Sequence, residues 1–380
     1  MELGIVGRDP YYDFGSFPGQ PGEPNRVAQE RMLMHLSQLG ARWVRVELHT
    51  GDDPTSDIAS YDDFLKMAAA YNIKVLLLLG FGLISGHDPL ALAEGPFVDD
   101  PEFGGGVSPM MRRWLQRALF AANRWQHQVA AYEILNEQNR LPPSGHALPA
   151  IVSARLHTKF YRLLAESSQG WPARPKVILG GLHPAGSGTP NAPGWVSDAD
   201  YLRGIYLAES FQSYRAAHRN RAAHRNTWPL DGIGYHPYPV EIRLTMPKTA
   251  KRWGDGEVIG ARLAQLAAAR DAYDPDRPFW ITEVGYNAGY ARQDRAGQAA
   301  FLVEAAEALA RRPDVATFFW FKYEDFPPPS GPAAQKWGLV TIPFTNDPAV
   351  RGGARYDLNA NIAVQPAWDA FAQAAKMYQH

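Results

Sequence analysis

Short runs of β-branched and apolar residues alternate along this chain with longer stretches whose apolar positions recur every three or four residues. The first run, Leu3 to Val6, predicts a strand. A helix follows over Arg26 to Leu39. Ala28, Met32, Leu33, Met34, Leu36 and Leu39 supply its apolar face, and Gly40 stops it. A second strand, Arg42 to Leu48, and a helix near Tyr61 to Ala70 lead to a third strand, Ile73 to Leu79. A stretch rich in glycine and proline runs to about Ser108. A helix over Met110 to Gln128 then precedes strand four, Ala131 to Leu135. Strand five reads Lys176 to Leu179, ended by Gly180-Gly181. The remaining strands are Gly232 to Tyr235, Phe279 to Thr282 and Thr317 to Phe321, and Pro366 to Tyr378 forms a closing helix.

Alternation of this kind predicts parallel strands joined by crossover helices. Eight strands in one series predict the α/β class and a single (β/α)8 TIM barrel with enlarged βα loops. An open sheet would carry a dinucleotide or phosphate loop after its first strand. Here Gly7-Arg8-Asp9-Pro10 follows, and no GxGxxG is present. No linker divides the chain, so one catalytic domain over residues 1–380 is expected, with Pro327-Pro328-Pro329 inside the loop after strand eight. The hexapeptide RAAHRN occurs twice in tandem, at Arg215 to Asn220 and Arg221 to Asn226. It is expected to lengthen the end of a surface helix, and a basic docking patch is the alternative.

Composition narrows the function classes. The chain has 380 residues, which one barrel with long loops can fill, and 46% are apolar, too many for a disordered chain. A net charge of −1 gives no reason to expect nucleic acid or an acidic membrane as partner. The absence of cysteine excludes disulfides, thiolate metal sites and a cysteine nucleophile. No apolar run approaches the roughly 20 residues of a membrane span. The first residues lack the basic, apolar and small-residue series of a secretory leader. Localisation therefore stays open between the cytoplasm and secretion with a leader removed, and so does the oligomeric state. Aromatic residues reach 12%, with 11 tryptophans; flat rings suit the C–H faces of sugars and a packed core alike.

Active sites of such barrels lie at the C-terminal ends of the strands. Two predicted strands end in glutamate. AYEILNEQN places Asn136-Glu137 where strand four gives way to a loop, and RPFWITEVGYN places Glu283 at the end of strand seven. Strands four and seven stand on roughly opposite sides of the barrel, so the two carboxyl groups can face each other across its mouth. Glycosidic bond cleavage needs such a pair, one protonated to assist the leaving oxygen and one ionised. A separation of about 5 Å gives retention of configuration, and a wider one gives inversion. Either glutamate alone would read as a solvated loop carboxylate.

In these motifs the chain resembles, over its full length, the clan of (β/α)8 retaining glycoside hydrolases with catalytic glutamates on strands four and seven. That clan includes family 5 cellulase-like and family 39 xylosidase-like enzymes. The resemblance implies that Glu137 is the acid/base and that Asn136 bonds the sugar 2-hydroxyl. It makes Glu283, within Trp280-Ile281-Thr282-Glu283-Val284-Gly285, the nucleophile, and Arg45 a support for it. His236-Pro237-Tyr238 matches the strand-six His-x-Tyr, and Trp320 the tryptophan that floors the subsite of the attacked sugar. Leu339-Val340 and Gln365-Pro366-Ala367-Trp368 resemble the closing stretch before the last helix. The activity implied is hydrolysis of β-linked glycosides or polysaccharides through a covalent glycosyl-enzyme. A carbohydrate is the partner, and no cofactor or metal is called for. Two departures favour a family 39-like or unassigned branch. Gly80-Phe81 stands where family 5 carries a histidine near the end of strand three, with His87 farther along. Leu135 replaces the aromatic that often precedes Asn-Glu.

Elementary electrostatics adds roles. A guanidinium at Arg45 would keep Glu283 ionised, or would pair with Glu47 or Glu133 inside the barrel. Glu133 is expected to be a buried ion-pair partner rather than a third catalytic group. Tyr238 is placed to donate to Glu283, and nearness to ionised Glu283 is expected to raise the pKa of Glu137. His183, Asn287 and His49 are candidates to line the cleft. Trp280, one residue off the parity of Glu283, is expected to pack against helices. Tyr323, Glu324 and Asp325 follow strand eight where some relatives contact substrate; for Glu324-Asp325 a solvated loop is the other reading. A metal-dependent hydrolase would need clustered ligands, but neither HExxH nor HxH occurs. A non-catalytic carbohydrate-binding barrel and a transglycosylase using the same two glutamates are the remaining alternatives.

Overall fold

The computed structural model describes residues 1–11, 26–51, 54–140, 147–171, 173–185, 196–218, 228–245, 253–326, 335–346, 354–356 and 362–379. Eight parallel strands close into a barrel. They are β1 (Glu2–Val6), β2 (Trp43–Glu47), β3 (Lys74–Leu79), β4 (Ala131–Ile134), β5 (Lys176–Leu182), β6 (Gly232–Tyr235), β7 (Phe279–Val284) and β8 (Val315–Trp320). The ring shuts where β1 pairs with β8, Glu2 opposite Thr317 and Ile5 opposite Trp320. Around it run α1 (Arg26–Gln38), α2 (Pro54–Ala70), α3 (Pro109–Arg124), α4 (Ala150–Ser167), α5 (Asp198–Leu207), α6 (Glu209–His218), α7 (Pro239–Thr245), α8 (Asp255–Asp271), α9 (Arg295–Ala310) and α10 (Pro366–Tyr378). The barrel expected from the alternating pattern is the one observed.

Local chemistry sets the element ends. Helix α3 starts at Ser108, whose hydroxyl accepts from the Met111 amide, with Pro109 in the first turn. Helix α9 starts at Asp294, which accepts from the Gly297 amide. Helix α2 begins at Pro54, well before the predicted Tyr61, because its first turn is polar and carries no apolar period. Helix α3 ends at Arg124 rather than Gln128. The loop after β3 folds into two short 3-10 turns and a hairpin that pairs Val98–Asp100 with Gly104–Val107. In the RAAHRN repeat, α6 takes in Arg215 to His218 and ends there; the second copy and the Pro327-Pro328-Pro329 run lie outside the described residues.

Two expectations about the strands are corrected. The Gly180-Gly181 pair does not end β5, which continues through it to Leu182. Glycine is required there by close approach. A Cβ on Gly180 would lie 2.0 Å from the Leu135 carbonyl oxygen, and one on Gly181 would lie 2.0 Å from His236 Nε2. The second correction concerns Trp280, which lies inside the barrel and not against the helices. With Val6, Trp43, Leu76, Ala131, Ile178 and Phe319 it fills the lower lumen, its ring edge-on to Trp43 at 5.3 Å. Parity misled because β7 bulges. Phe318 and Trp320 of β8 pair with Ile281 and Val284, so β7 carries one residue more than β8 over this stretch. The extra residue lets Glu283 turn to the mouth although Trp280 lies in the lumen below it.

Candidate active site

Arg45 is the centre of the site. It stands on β2, buried, and its guanidinium donates three ways. Nε reaches Glu133 Oε2 at 2.5 Å, Nη1 reaches Glu283 Oε1 at 2.7 Å, and Nη2 reaches Asn136 Oδ1 at 2.8 Å. Arg45 therefore pairs with Glu133 and with Glu283 at once. Burial works against its charge, but Glu133 and Glu283 outweigh that and hold its pKa above the ordinary arginine value. Glu133 is fully buried. Its second oxygen accepts from the Gly181 amide at 2.9 Å, so it braces Arg45 rather than facing the mouth. Because Arg45 occupies the Asn136 carbonyl oxygen, the amide nitrogen of Asn136 is the end left to meet a ligand.

Glu283 receives a second donor from the β6–α7 connection, where Tyr238 Oη lies 3.0 Å from its Oε2. Burial, then the Glu283 charge, keep the phenol of Tyr238 far above its ordinary pKa, so it stays a donor. Two donors on two oxygens fix the carboxylate in place.

Glu137 sits beyond β4 on a sharply turned backbone. Leu135 has φ +67° and Glu137 φ +45°, left-handed values that cost a non-glycine residue on the order of 1 kcal/mol each. The turn is pinned by Leu135 N donating to the Leu79 carbonyl at 3.0 Å and Glu137 N to the Gly181 carbonyl at 2.9 Å. Gln138 and Asn139, both fully buried, fasten the next step to β5: Gln138 Nε2 donates to the Gly180 carbonyl, and Asn139 clasps the backbone of His183 from both sides. This clasp brings His183 to the site. Its Nδ1 lies 3.3 Å from Glu137 Oε1, and His236 Nδ1 lies 3.0 Å from the same oxygen.

One imidazole links the two acids. His236 has Nδ1 at 3.0 Å from Glu137 and Nε2 at 3.9 Å from Glu283 Oε1, with Nε2 also 3.0 Å from the Thr282 hydroxyl. The two carboxylates keep 20% and 12% of their side-chain surface exposed, so both are reachable from the mouth. The expected rise of the Glu137 pKa is not what the surroundings produce. Burial pushes it up, but the hydrogen bonds from His183 and His236 outweigh burial and hold it well below the usual carboxylate range. For His236, burial lowers the pKa, and Glu283 and Glu137 raise it further than that. Glu137 and His236 thus each favour the charged form of the pairing. Whether the shared proton rests on His236 Nδ1 or on Glu137, Nε2 keeps its hydrogen and the Thr282 hydroxyl accepts it.

A stability signature follows. His236 titrates higher folded than its ordinary 6.5, so its pairing with Glu137 stabilises the fold fully below about pH 6.5 and is lost as pH rises through the raised value. Glu137 titrates below its ordinary 4.5, so its share is present above that pH and lost as pH falls toward the depressed value. The pairing therefore contributes most between those two limits. His236→Gln is expected to flatten the Tm-against-pH curve above pH 6.5; parallel curves for the two proteins would refute the coupling.

Several candidates fall elsewhere. Trp320 is fully buried and points outward, its ring 6.0 Å from Phe301 of α9, so it cannot floor a subsite. Phe321, one residue on and half-buried, shares the parity of Phe319; its ring stands 5.5 Å from Trp337, which in turn meets Tyr238 at 6.0 Å. Asn287 braces a loop: its Oδ1 accepts from the Gly289 and Lys336 amides. Glu324 is fully buried against Lys322 at 2.9 Å, and Asp325 accepts from the Gly338 amide and pairs with Arg295, so neither is a solvated loop group. Tyr323 is buried with its hydroxyl 2.7 Å from His35 Nδ1. His49 lies 3.3 Å from Asp9 and 3.5 Å from Glu47, beside the cleft. His87 meets Arg113 on the surface. Thr282, Asn139, Phe321 and Trp337 carry no motif of their own in the sequence; for Asn139 the available signal was a pair of amides directly after Asn-Glu. Among the described residues no cluster of three or more acidic or histidine side chains is arranged to hold a metal ion, and no helix is long and apolar enough to cross a membrane.

No family model matches the sequence, and no curated protein matches it. Solved structures do. A GH5_18 protein from Streptomyces cattleya, in complex with GlcNAc, superposes with a TM-score of 0.65 at 15% identity, over 100% of this chain and 80% of its own. The virulence factor SghA from Agrobacterium tumefaciens gives 0.56 at 14% identity, over 98% and 96%. A β-glucosidase from Thermotoga maritima, in complex with cyclophellitol, gives 0.58 at 14% identity, over 99% and 97%. At these identities the likeness is one of architecture: this chain has the (β/α)8 barrel fold of those structures.

Proposed function

We propose that the protein is a retaining glycoside hydrolase acting on β-linked glycosides, with Glu283 as nucleophile and Glu137 as acid/base. The observation that carries this reading is the pair of carboxylates on either side of the His236 ring, each with its own donors. Arg45 and Tyr238 hold Glu283 by both oxygens, in the fixed position that attack on an anomeric carbon requires. Glu137 shares a proton with His236, so it can give that proton to a departing oxygen and later take one from water. Displacement by Glu283 releases the aglycone and forms a glycosyl ester; water activated by Glu137 then cleaves the ester and restores both acids. With Trp320 out of reach, Phe321 and Trp337 offer the aromatic surface for the attacked sugar, and the Asn136 amide nitrogen is free of Arg45 to donate to its 2-hydroxyl. The barrel neighbours named as glycoside hydrolases fit this reading in fold.

The test is stereochemical. NMR of the first-formed sugar from a β-glycoside is expected to show the β-anomer before mutarotation; initial release of the α-anomer would exclude double displacement.

A further inference from the structure

We propose that a cleft on the outside of the barrel, walled by α4, α6 and the hairpin after β3, binds a small molecule that carries a phosphate group on a ring. None of its lining residues belongs to the candidate active site, so its occupancy is independent of the glycosidase reading. The cavity measures about 600 Å³. Small-molecule sites run from roughly 300 to 1,000 Å³, so this one has room for a ring and its phosphate together.

Charge asks for an anion. Arg155, Lys159 and Arg162 stand four and three residues apart on α4, so they share one face and line the cleft together. At that spacing opposite charges stabilise a helix and like charges destabilise it. The hairpin answers with neutral groups. Lys159 Nζ donates to the Phe103 and Gly105 carbonyls, both at 2.7 Å, and Arg155 Nη1 donates to the Gly106 carbonyl at 3.1 Å. Carbonyls aim the cations without cancelling their charge. Glu209 is the one carboxylate among the described residues that line the cleft. Acids farther out have other partners. Asp100 pairs with Arg112 at 3.0 Å and accepts from the Glu102 and Phe103 amides, and Glu166 stands 3.8 Å from Arg162 on the solvent side. Burial, then the Arg162 and Arg155 charges, hold the Lys159 pKa below the ordinary lysine value, although Asp100 and Asp99 pull it up.

The facing wall supplies a hydroxyl and a platform. Ser210 Oγ, on α6, is buried and has no hydrogen-bond partner among the described residues. An unmet buried hydroxyl is costly, and a phosphate oxygen would accept from it. Phosphate brings a charge near −2 and three acceptor oxygens, which match the three cations and this donor. Tyr214 and His218 stand one and two turns beyond Ser210 and also line the cleft. Their rings stack at 3.9 Å and 17°, and His218 Nδ1 is fixed on the Tyr214 carbonyl at 2.7 Å. That pair offers a flat face for the ring of the ligand. Of the first RAAHRN copy, His218 thus serves the cleft, whereas Arg215 lies over Trp228 at 4.7 Å.

Titration calorimetry of the intact protein tests this with AMP, glucose 6-phosphate, inorganic phosphate, adenosine and glucose. Either ring-bearing phosphate is expected to bind at least about tenfold tighter than its neutral parent and than inorganic phosphate, and the tighter of the two identifies the ring. Arg162→Gln, on the exposed edge, and Arg155→Gln are each expected to weaken binding about five- to tenfold. Ser210→Ala is expected to weaken it about threefold with Tm unchanged, because the hydroxyl has no partner to lose. Binding that all three variants leave intact would overturn the assignment. So would neutral parents that bind as tightly as the phosphates, or no binding of either phosphate at about 10 mM. Inorganic phosphate binding as tightly as both would overturn the place given to the ring.

Discussion

Glu283→Ala is expected to lower kcat by on the order of 10⁴- to 10⁶-fold, with the fold intact. The loss is large because the attacking group itself is removed. The fold survives because Arg45 keeps Glu133 at 2.5 Å and Asn136 at 2.8 Å after its bond to Glu283 is gone. The guanidinium is not stranded, so the destabilisation stays nearer the roughly 1–3 kcal/mol of one lost charged hydrogen bond than the cost of an unpaired buried charge. In the wild-type protein a 2-fluoro glycoside with a good leaving group is expected to accumulate as an ester, and peptide mass mapping is expected to find it on Glu283. Labelling at any other residue would refute the assignment. Azide, small enough for the space left by the carboxyl group, is expected to restore part of the turnover as a glycosyl azide of inverted configuration.

The second large effect is selective. Glu137→Ala is expected to slow glycosides with poor leaving groups by about 10²- to 10⁴-fold. Activated aryl glycosides, whose leaving groups depart without a proton, should lose far less in the glycosylation step. The variant also leaves His183 and His236 without the oxygen they now share, so the descending limb of the pH profile that this proton produces should vanish with it. Equal losses on both substrate classes would argue that Glu137 serves only to position its neighbours.

The outline of this site was legible because its two acids lie at the ends of strands whose patterns are plain. Short apolar runs mark β4 and β7. One glutamate at such a boundary is unremarkable, but two on opposite strands converge on the same mouth. What could not be read depended on irregular backbone. The bulge at Thr282-Glu283 reverses the inward parity of β7, so Trp280 belongs to the lumen. On β8 the aromatic run Phe318-Phe319-Trp320-Phe321 offers four rings, and only the observed register shows that Trp320 faces α9 and Phe321 the mouth. Gly180-Gly181 has the composition of a strand end, but it is strand interior because Leu135 and His236 crowd it. His183 gives no spacing signal at all. It reaches Glu137 through the Asn139 clasp, a contact between residues 44 positions apart. His183 and His236 were both candidates for the site, but their bonds to the Glu137 carboxyl, which set the direction of its shift, follow from the turn after β4 and not from any spacing.

The tryptophan-filled lower lumen has a consequence for traffic. With Trp43, Trp280 and Phe319 packed across it, and Lys74 and Lys176 lying over the two indoles from below, the channel is stoppered at that end. On the proposed function, a glycoside cannot pass through the barrel, and both products leave by the mouth through which it entered. Water, freed sugar and the next substrate of such an enzyme would share one doorway.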